Sequence, residues 1–408
     1  MVMRRRGLWL ALATMVLLGA WLYLRPREAA PVRIGVLHSL TGTMAASEKP
    51  VVDALRLAVE QINARGGLLG HRLEIVLADG RSSPASFASA AEQLISRQHV
   101  VALFGCWTSA SRKAVLPVIE RHKHLLLYPV QYEGLEQSPY ILYAGAAPNQ
   151  QIIPGTRWAM SQFGKRVYLI GSDYVFPRAA NRIIRDVIDG VNGSVVGESY
   201  VPLGGERFDA IAADIARLRP DVVLNTINGS SNRHLLRALE SAGLANQPLL
   251  SFSLSEAELQ EMGAARLHAH YLAWNYLHDL PLDDNEAFVA AFRQRFGAGR
   301  RISDPMETAY TAVHLWAQAV SEAGSFEPAK VTFALRQQSY NSPAGIISVD
   351  PDNQHLWKPI YIARILPDGR LGIVHAVRHA VRPNPFPEFR TRSEWLTLLN
   401  NAIEQRQP

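Results

Sequence analysis

The stretch "VRIGVLHSLTGTMAASEKPVVDALRLAVEQINARGG", residues 32–67, places a buried strand directly before an amphipathic helix. The run VRIGVLHSL is almost wholly apolar, which is typical of a strand covered on both faces. After Pro50, apolar residues recur at spacings of three and four, which predicts a helix over residues 50–65. These residues are Val51, Leu55, Val59 and Ile62. The stretch therefore predicts one strand-helix unit of an α/β fold.

The same alternation of short apolar runs and helical segments continues along the chain. The runs are LEIVLADG, VVALFG, HLLLYPV, RVYLIGSD, DVVLNTING, PLLSFSLS and HYLAWNY. Such alternation predicts parallel sheets with helices on both faces, and 408 residues are too many for one ordinary core. We expect two lobes, with a break near residues 145–151.

Composition excludes several classes of protein. Apolar residues make up 48% and charged residues 19%, which is globular composition. The net charge of +6 is concentrated near the two ends, and no basic stripe with interleaved aromatic residues is seen, which disfavours nucleic-acid binding. A single cysteine excludes an intramolecular disulfide.

The N-terminus has the pattern of a targeting segment. The basic start MVMRRR precedes 18 apolar or small residues, 7–24, a length that just spans a bilayer. This order predicts a cytoplasmic start and an exported body. Trp21 stands where a lipoprotein would carry its lipidated cysteine, so we expect an uncleaved anchor or a cleaved signal rather than a lipid anchor.

Polar residues follow the predicted strands at the positions where ligands bind in open α/β sheets. They are mostly neutral hydrogen-bonding and aromatic side chains, and cations are scarce among them. This disfavours a phosphate or carboxylate as the main ligand and favours a small, neutral, planar molecule.

Motifs for catalysis, cofactors and metals are weak. Cys106 follows a strand and would be the nucleophile of an amide hydrolase, but a cysteine at a strand end is usually a small buried apolar residue. No nucleotide motif is present, and the pairs His122/His124 and His268/His270 have no third ligand at a typical spacing. We therefore expect no cofactor, no metal and no catalysis. Asp304 and Glu307 are interpreted as the cap and first-turn acid of a helix.

Several of these stretches together resemble a known family. The chain is similar to type I periplasmic solute-binding proteins, above all to the urea-binding protein of bacterial ABC transporters, with the amide-sensing regulatory binding protein as a near relative. The resemblance spans residues 33–385 and rests on the stretches IGVLHSLTGTMA, GCWTSASRKAVLPV, LLYPVQYEG, YAGAAPNQQ, GSDYVFPR, TINGSSN, AWNY and SDPMETAY.

The resemblance implies two Rossmann-like lobes joined by three crossovers, which close on the ligand. The first lobe would hold residues 33–147 and 279–345, and the second 148–278 and 346–385. Residues 1–30 would form the signal or membrane anchor and 386–408 a C-terminal tail.

The resemblance also implies a binding site. Ser109 and Tyr128 match a pocket hydroxyl and a pocket aromatic residue, and Tyr174 matches the first aromatic residue of a DYxYPR motif. Phe176 replaces the tyrosine usual at the second aromatic position, which leaves urea or a short amide open as the ligand. Gln131 and the AWNY stretch resemble the urea branch, whereas the SEAE stretch, residues 255–258, resembles the amide-sensor branch.

Urea chemistry suits such a site. Urea has one carbonyl acceptor and four N–H donors around a flat core, so a pocket for it needs few donors, several acceptors and rings on its faces. Ser109 and Thr108 would donate to the carbonyl. The expected acceptors are Glu256, Gln131 and Asn275, and the expected face-covering rings are Trp107, Tyr128, Tyr174 and Phe176.

Three functions remain open from the sequence. The first is an extracytoplasmic binding protein that delivers urea or a short aliphatic amide to ABC permease subunits. The second is a membrane-anchored sensor of the same fold that signals to a kinase or regulator. The third is an amide hydrolase that depends on Cys106.

Overall fold

A computed structural model of the chain describes residues 29–262 and 269–404. Five parallel strands form the first sheet, in the order β2-β1-β3-β4-β5. They are β1 (Ala29–His38), β2 (His71–Asp79), β3 (Leu103–Gly105), β4 (Leu126–Tyr128) and β5 (Ile141–Tyr143). The sequence predicts four of these and misses β5, which, like β3 and β4, has only three residues.

Nine strands form the second sheet, in the order β11-β12-β13-β10-β9-β8-β6-β7, with β14 paired to β13. They are β6 (Arg166–Ser172), β7 (Ser194–Val201), β8 (Val222–Thr226), β9 (Leu249–Ser251), β10 (His270–Trp274), β11 (Ser339–Ser342), β12 (Gly345–Val349), β13 (Leu356–Ile365) and β14 (Leu371–Val381). Strands β6 to β10 are parallel. The last four strands pair antiparallel, so this sheet is mixed. The expectation that it would be parallel throughout was wrong.

Helices alternate with the strands, as the sequence predicts for an α/β fold. They are α1 (Ala45–Ala64), α2 (Pro84–Ser96), α3 (Ser109–His122), a 3₁₀ turn (Pro148–Gln150), α4 (Ile152–Phe163), α5 (Val175–Asp189), α6 (Asp209–Leu218), α7 (Ser231–Ser241), α8 (Glu256–Met262), α9 (Asp283–Phe296), α10 (Asp304–Ala323), α11 (Pro328–Leu335) and α12 (Arg392–Glu404). The predicted helix over residues 50–65 is confirmed as α1, which begins five residues earlier. The N-cap of α10 is Ser303, so Asp304 is its first residue and not its cap.

Long-range packing joins the late helices to the first sheet. Helix α10 packs against α1, and its buried face enters the same apolar cluster as β1, β3 and β4. A second apolar cluster joins α5 to the C-terminal helix α12 through Trp395. Late segments of the chain thus pack back on early ones, although the predicted lobe boundaries stay a prediction.

The predicted N-terminal anchor, residues 7–24, lies outside the described residues. Within residues 29–262 and 269–404, none of the helices combines the length and the apolar character needed to cross a membrane.

Candidate functional site

Three neighbouring parallel strands end at one edge of the first sheet, and the residues that follow them form the candidate site. Strand β1 ends at His38, β3 leads into Trp107 and Ser109, and β4 leads into Gln131. Because β1, β3 and β4 are adjacent and parallel, their carboxyl ends lie side by side. The loops that follow β1, β3 and β4 therefore lie next to one another.

Gly105 permits the tight turn after β3. A Cβ atom on this residue would lie 2.0 Å from the carbonyl oxygen of Leu37, so a larger residue would push the two strands apart. The next residue, Cys106, donates its backbone N–H to that same carbonyl at 3.0 Å and has a φ of 65°. The turn thus directs the chain from the sheet into helix α3.

Cys106 is fully buried. Burial raises the pKa of its thiol, and the nearby Glu48 carboxylate raises it further, so the neutral thiol is favoured. A nucleophilic cysteine requires the opposite shift. The structure therefore supports the interpretation that Cys106 is a small buried apolar residue and not a nucleophile.

Thr108 and Ser109 begin helix α3. Thr108 is the N-cap, and its hydroxyl accepts the backbone N–H of Ser111 at 3.1 Å. The hydroxyl of Ser109 donates to the carboxylate of Glu133 and accepts from Arg112. Both predicted hydroxyl donors are therefore engaged within the protein.

Arg112 is the main residue of this edge that the sequence analysis missed. Its guanidinium is fully buried and bonds two acids, Glu133 at 3.2 Å and Glu136 at 2.7 Å. Lys113 donates to Glu136 as well, at 2.7 Å. Burial alone would raise the pKa of Glu136, but the two cations lower it to about 2. Two cations and two carboxylates thus balance one another.

Aromatic rings surround this charged group. The guanidinium of Arg112 lies 4.8 Å from the ring centre of Tyr128 and 4.5 Å from that of Tyr132. The Tyr128 hydroxyl donates to the carbonyl of Trp107 at 2.6 Å, and burial raises its pKa. Tyr128 therefore lies at the predicted edge, with its hydroxyl held by the β3–α3 turn.

His38 and Glu48 form a second buried pair at the same edge. The ring Nδ1 of His38 lies 2.9 Å from Glu48 Oε2, which also accepts the backbone N–H of Ser39 at 2.8 Å. Among the described residues, the other ring nitrogen of His38 has no hydrogen-bond partner, although it is buried. The sequence analysis missed this pair, because Glu48 lies ten residues away on helix α1.

The second sheet meets this edge with its own strand ends. Trp107 Nε1 lies 3.4 Å from Asn228 Oδ1, in the loop after β8. Gln131 Nε2 donates to the carbonyl of Phe252 at 3.1 Å and to Ser253 Oγ at 3.3 Å, both after β9. Gln131 Oε1 is buried and has no partner within the described part of the chain. Trp107 and Gln131 thus lie where the two sheets face each other.

Tyr174 and Phe176 lie at the start of helix α5, which follows β6 of the second sheet. Their ring centres are 6.3 Å apart, and both rings pack in the apolar cluster of α5. Both side chains are buried. Their predicted contact with a ligand stays a prediction.

Glu256 and Asn275 have partners in other segments. The Glu256 carboxylate accepts from the backbone of His278 at 3.1 Å and from Arg301 at 3.2 Å. Asn275 Nδ2 donates to the carbonyls of Gln150 and Pro359, next to strand β13. These bonds do not join either residue to Ser109, and their predicted ligand contacts stay a prediction, although Asn275 Oδ1 is buried without a partner among the described residues.

Metal ligation gains no support from the histidine pairs. His122 Nε2 lies 2.9 Å from Glu92 and His124 Nε2 2.8 Å from the carbonyl of Val100, whereas His268 lies outside the described residues. Within residues 29–262 and 269–404, no three His, Cys, Asp or Glu side chains are grouped as a metal site requires.

A family model described as "Periplasmic binding protein domain" matches residues 32–392. A Leu/Ile/Val-binding protein homolog 6 from Brucella melitensis biotype 1 is 23% identical over 347 residues, which cover 82% of this chain and 87% of that protein.

Solved structures with the same fold include two binding proteins. A solute binding protein of an ABC transporter from Rhodopseudomonas palustris BisB5, in complex with 3,4-dihydroxybenzoic acid, has a TM-score of 0.79 at 23% identity and covers 86% of this chain and 98% of its own. A leucine binding protein from Thermotoga maritima MSB8 has a TM-score of 0.72 at 20% identity, with coverage of 85% and 98%. At this identity the likeness confirms the α/β fold class and leaves the ligand open.

Proposed function

We propose that this chain, which belongs to the periplasmic binding protein domain family, captures a small neutral amide such as urea and hands it to the permease of an ABC transporter. Membership of a binding-protein family agrees with the expectation that the chain is not an enzyme. The ligand, the site and the delivery partner are the proposed part, and the capture would take place in the periplasm.

Charge balance at the strand-end edge supports a neutral ligand. Arg112 and Lys113 are compensated by Glu133 and Glu136, so this group offers no free cation to an anionic ligand. An anionic ligand buried here would have to displace a carboxylate from Arg112 or stay uncompensated, and both alternatives are costly. A neutral ligand avoids that cost.

Two unpartnered buried atoms carry the proposal. Gln131 Oε1 is an acceptor, and His38 Nε2 is also an acceptor when Nδ1–H faces Glu48. They are two of several buried side-chain atoms without a hydrogen-bond partner among the described residues, and ligand N–H groups would satisfy both. Urea and short amides are rich in N–H donors, which matches this demand.

A second candidate ligand class comes from the relatives. Similar proteins are described as binding leucine, or as complexes with a dihydroxybenzoic acid, so an amino acid or aromatic acid is the alternative. An acid would need Arg112, whose guanidinium is already bonded to two carboxylates. The neutral amide is therefore preferred.

Isothermal titration with a ligand panel tests the proposal. Urea, acetamide, formamide, butyramide, leucine and 3,4-dihydroxybenzoate would be titrated into the protein, and ammonia would be assayed in the same samples. Binding of urea or an amide without ammonia release is expected. Binding of leucine or the dihydroxybenzoate that Gln131→Leu weakens, without binding of an amide, would replace the neutral-amide proposal with the second candidate, and ammonia release would restore the hydrolase.

A further inference from the structure

A cavity outside the strand-end site lies between helix α5 and the C-terminal helix α12. Its volume is about 390 Å³, and its lining includes Arg178, Arg182, Arg185, Leu398 and Leu399. The arginines recur at spacings of four and three, so all three lie on one face of α5. Cationic and apolar walls thus face the same space.

Two of the three arginines are neutralised by neighbouring acids. Arg178 bonds Asp173 at 2.7 Å, and Arg185 bonds Glu198 at 2.9 Å. Glu198 also accepts the hydroxyl of Tyr200 on its other oxygen. These carboxylates therefore have little capacity left for the third arginine.

Arg182 has the weakest compensation. Its guanidinium lies 3.9 Å from Asp186, beyond hydrogen-bond distance. Both oxygens of Asp186 are already bonded to Arg390, at 2.7 Å each. Among the described residues, Arg182 is therefore the least compensated of the three arginines, and it brings its planar fork of donors to the cavity wall.

We propose that this cavity binds a small organic monocarboxylate whose apolar body lies against the leucines of α12. The carboxylate would pair with Arg182 in the two-pronged geometry that guanidinium groups favour. The apolar wall of Leu398 and Leu399 selects an amphipathic anion over inorganic phosphate.

Benzoate and methyl benzoate form a matched pair of probes, because they share the ring and differ in charge, and neither carries the N–H donors of an amide. Titration of the full chain at low ionic strength is expected to show binding of benzoate and none of methyl benzoate. Arg182→Gln is expected to weaken benzoate binding roughly tenfold, since a charge-assisted pair is lost. Arg217→Gln, an exposed arginine on helix α6, serves as the control and leaves binding unchanged.

Three results would overturn the proposal: no benzoate binding, equal binding of methyl benzoate, or benzoate binding that Arg182→Gln leaves unchanged. The last result would place benzoate elsewhere, for example at the strand-end site. Thermal unfolding of both variants confirms that they are folded, which is expected because Arg182 and Arg217 are exposed. The outcome is independent of whether urea binds.

Discussion

Gln131 is the residue on which the proposed ligand specificity depends most. Its amide nitrogen bridges to the second sheet through Phe252 and Ser253, while its oxygen remains without a partner in the described structure. The amide nitrogen thus has a structural role, and the amide oxygen is the atom that a ligand N–H group would bond. A substitution by leucine keeps the volume but removes both the amide nitrogen and the amide oxygen, so the stability of the variant is measured together with its affinity.

Gln131→Leu is expected to lower the affinity for urea about tenfold, because a ligand N–H loses its acceptor. The carbonyl of Phe252 keeps a donor in this variant, since Gln151 also bonds it at 3.0 Å. Titration calorimetry measures the change, with Gln247→Leu as the control in a loop next to β9. Unchanged affinity in Gln131→Leu would remove this residue from the site.

The raised pKa of Glu256 predicts that the stability of the protein depends on pH. Burial raises its pKa from 4.5 to about 7, against the opposing effect of Arg301. The folded state therefore holds the proton more tightly than the unfolded state, and the resulting stabilisation is full below pH 4.5 and lost as the pH rises to 7. The free energy of unfolding attributable to this group falls by at most about 3 kcal/mol over that range.

Comparison with Glu256→Gln isolates this contribution, because the variant cannot titrate at this position. Denaturant unfolding gives the free energy of unfolding of the parent and of the variant between pH 4.5 and 7.5. The value for the parent minus that for the variant is expected to decline up to pH 7 and then to stay level. The exposed Glu286→Gln should follow the parent at every pH. A constant difference for Glu256→Gln would contradict the raised pKa.

Secondary-structure elements differ in how clearly their sequences show them. Helix α1 has a regular apolar period, and the predicted strands are continuous apolar runs. The β13–β14 hairpin was missed, although Asp368-Gly369 between apolar stretches is a recognisable turn signal and Gly369 has a φ of 80°. Strand β7, SVVGESYV, mixes polar and apolar residues without strict alternation, so no simple period identified it.

Lys358 links strand β13 to helix α10, and we expect this link to stabilise the fold. It is buried, and its ammonium donates to Thr308 at 2.7 Å and to the carbonyl of Ala144 at 3.2 Å. Burial raises the pKa of Asp304 and Glu307, and Lys358 opposes that rise. Lys358→Met would leave two buried carboxyl groups without their cation and lower the free energy of unfolding by about 3 kcal/mol.

Chemical denaturation measures this loss of stability. Lys330→Met is the matched control, because Lys330 forms only an exposed pair with Glu327, and it should leave the unfolding midpoint unchanged. Equal effects of the two substitutions would show that Lys358 does not stabilise the connection between β13 and α10.

At the scale of the whole molecule, the strand ends of two sheets face each other, and this arrangement was largely readable from the sequence. Parallel strands place Ser109, Tyr128 and Gln131 at one edge wherever the helices lie. The charge balance was not readable, because Arg112 pairs with acids 21 and 24 residues away and His38 pairs with a residue on another element. Glu256 and Asn275 follow predicted strands too, but their partners come from distant segments that no local pattern indicates.

Ligand binding should also stabilise the whole molecule, since a ligand held between the two sheets binds only the folded state. At a free concentration 100 times its dissociation constant, urea or the preferred amide would add about 2.7 kcal/mol to the free energy of unfolding. Because urea is itself a denaturant, acetamide is the better probe, and thermal unfolding with rising acetamide measures the effect. Methyl acetate, which lacks the N–H donors, is the control and should not stabilise the protein.

A crystal structure of the protein grown with urea or acetamide tests the central claim most directly. The account predicts electron density for the amide between the two sheets, with its N–H groups within hydrogen-bond distance of Gln131 Oε1 and His38 Nε2 and with the Arg112–Glu133–Glu136 pairs intact. An amide bound away from Gln131 and His38, or a carboxylate ligand bound to Arg112 instead of an amide, would contradict the account.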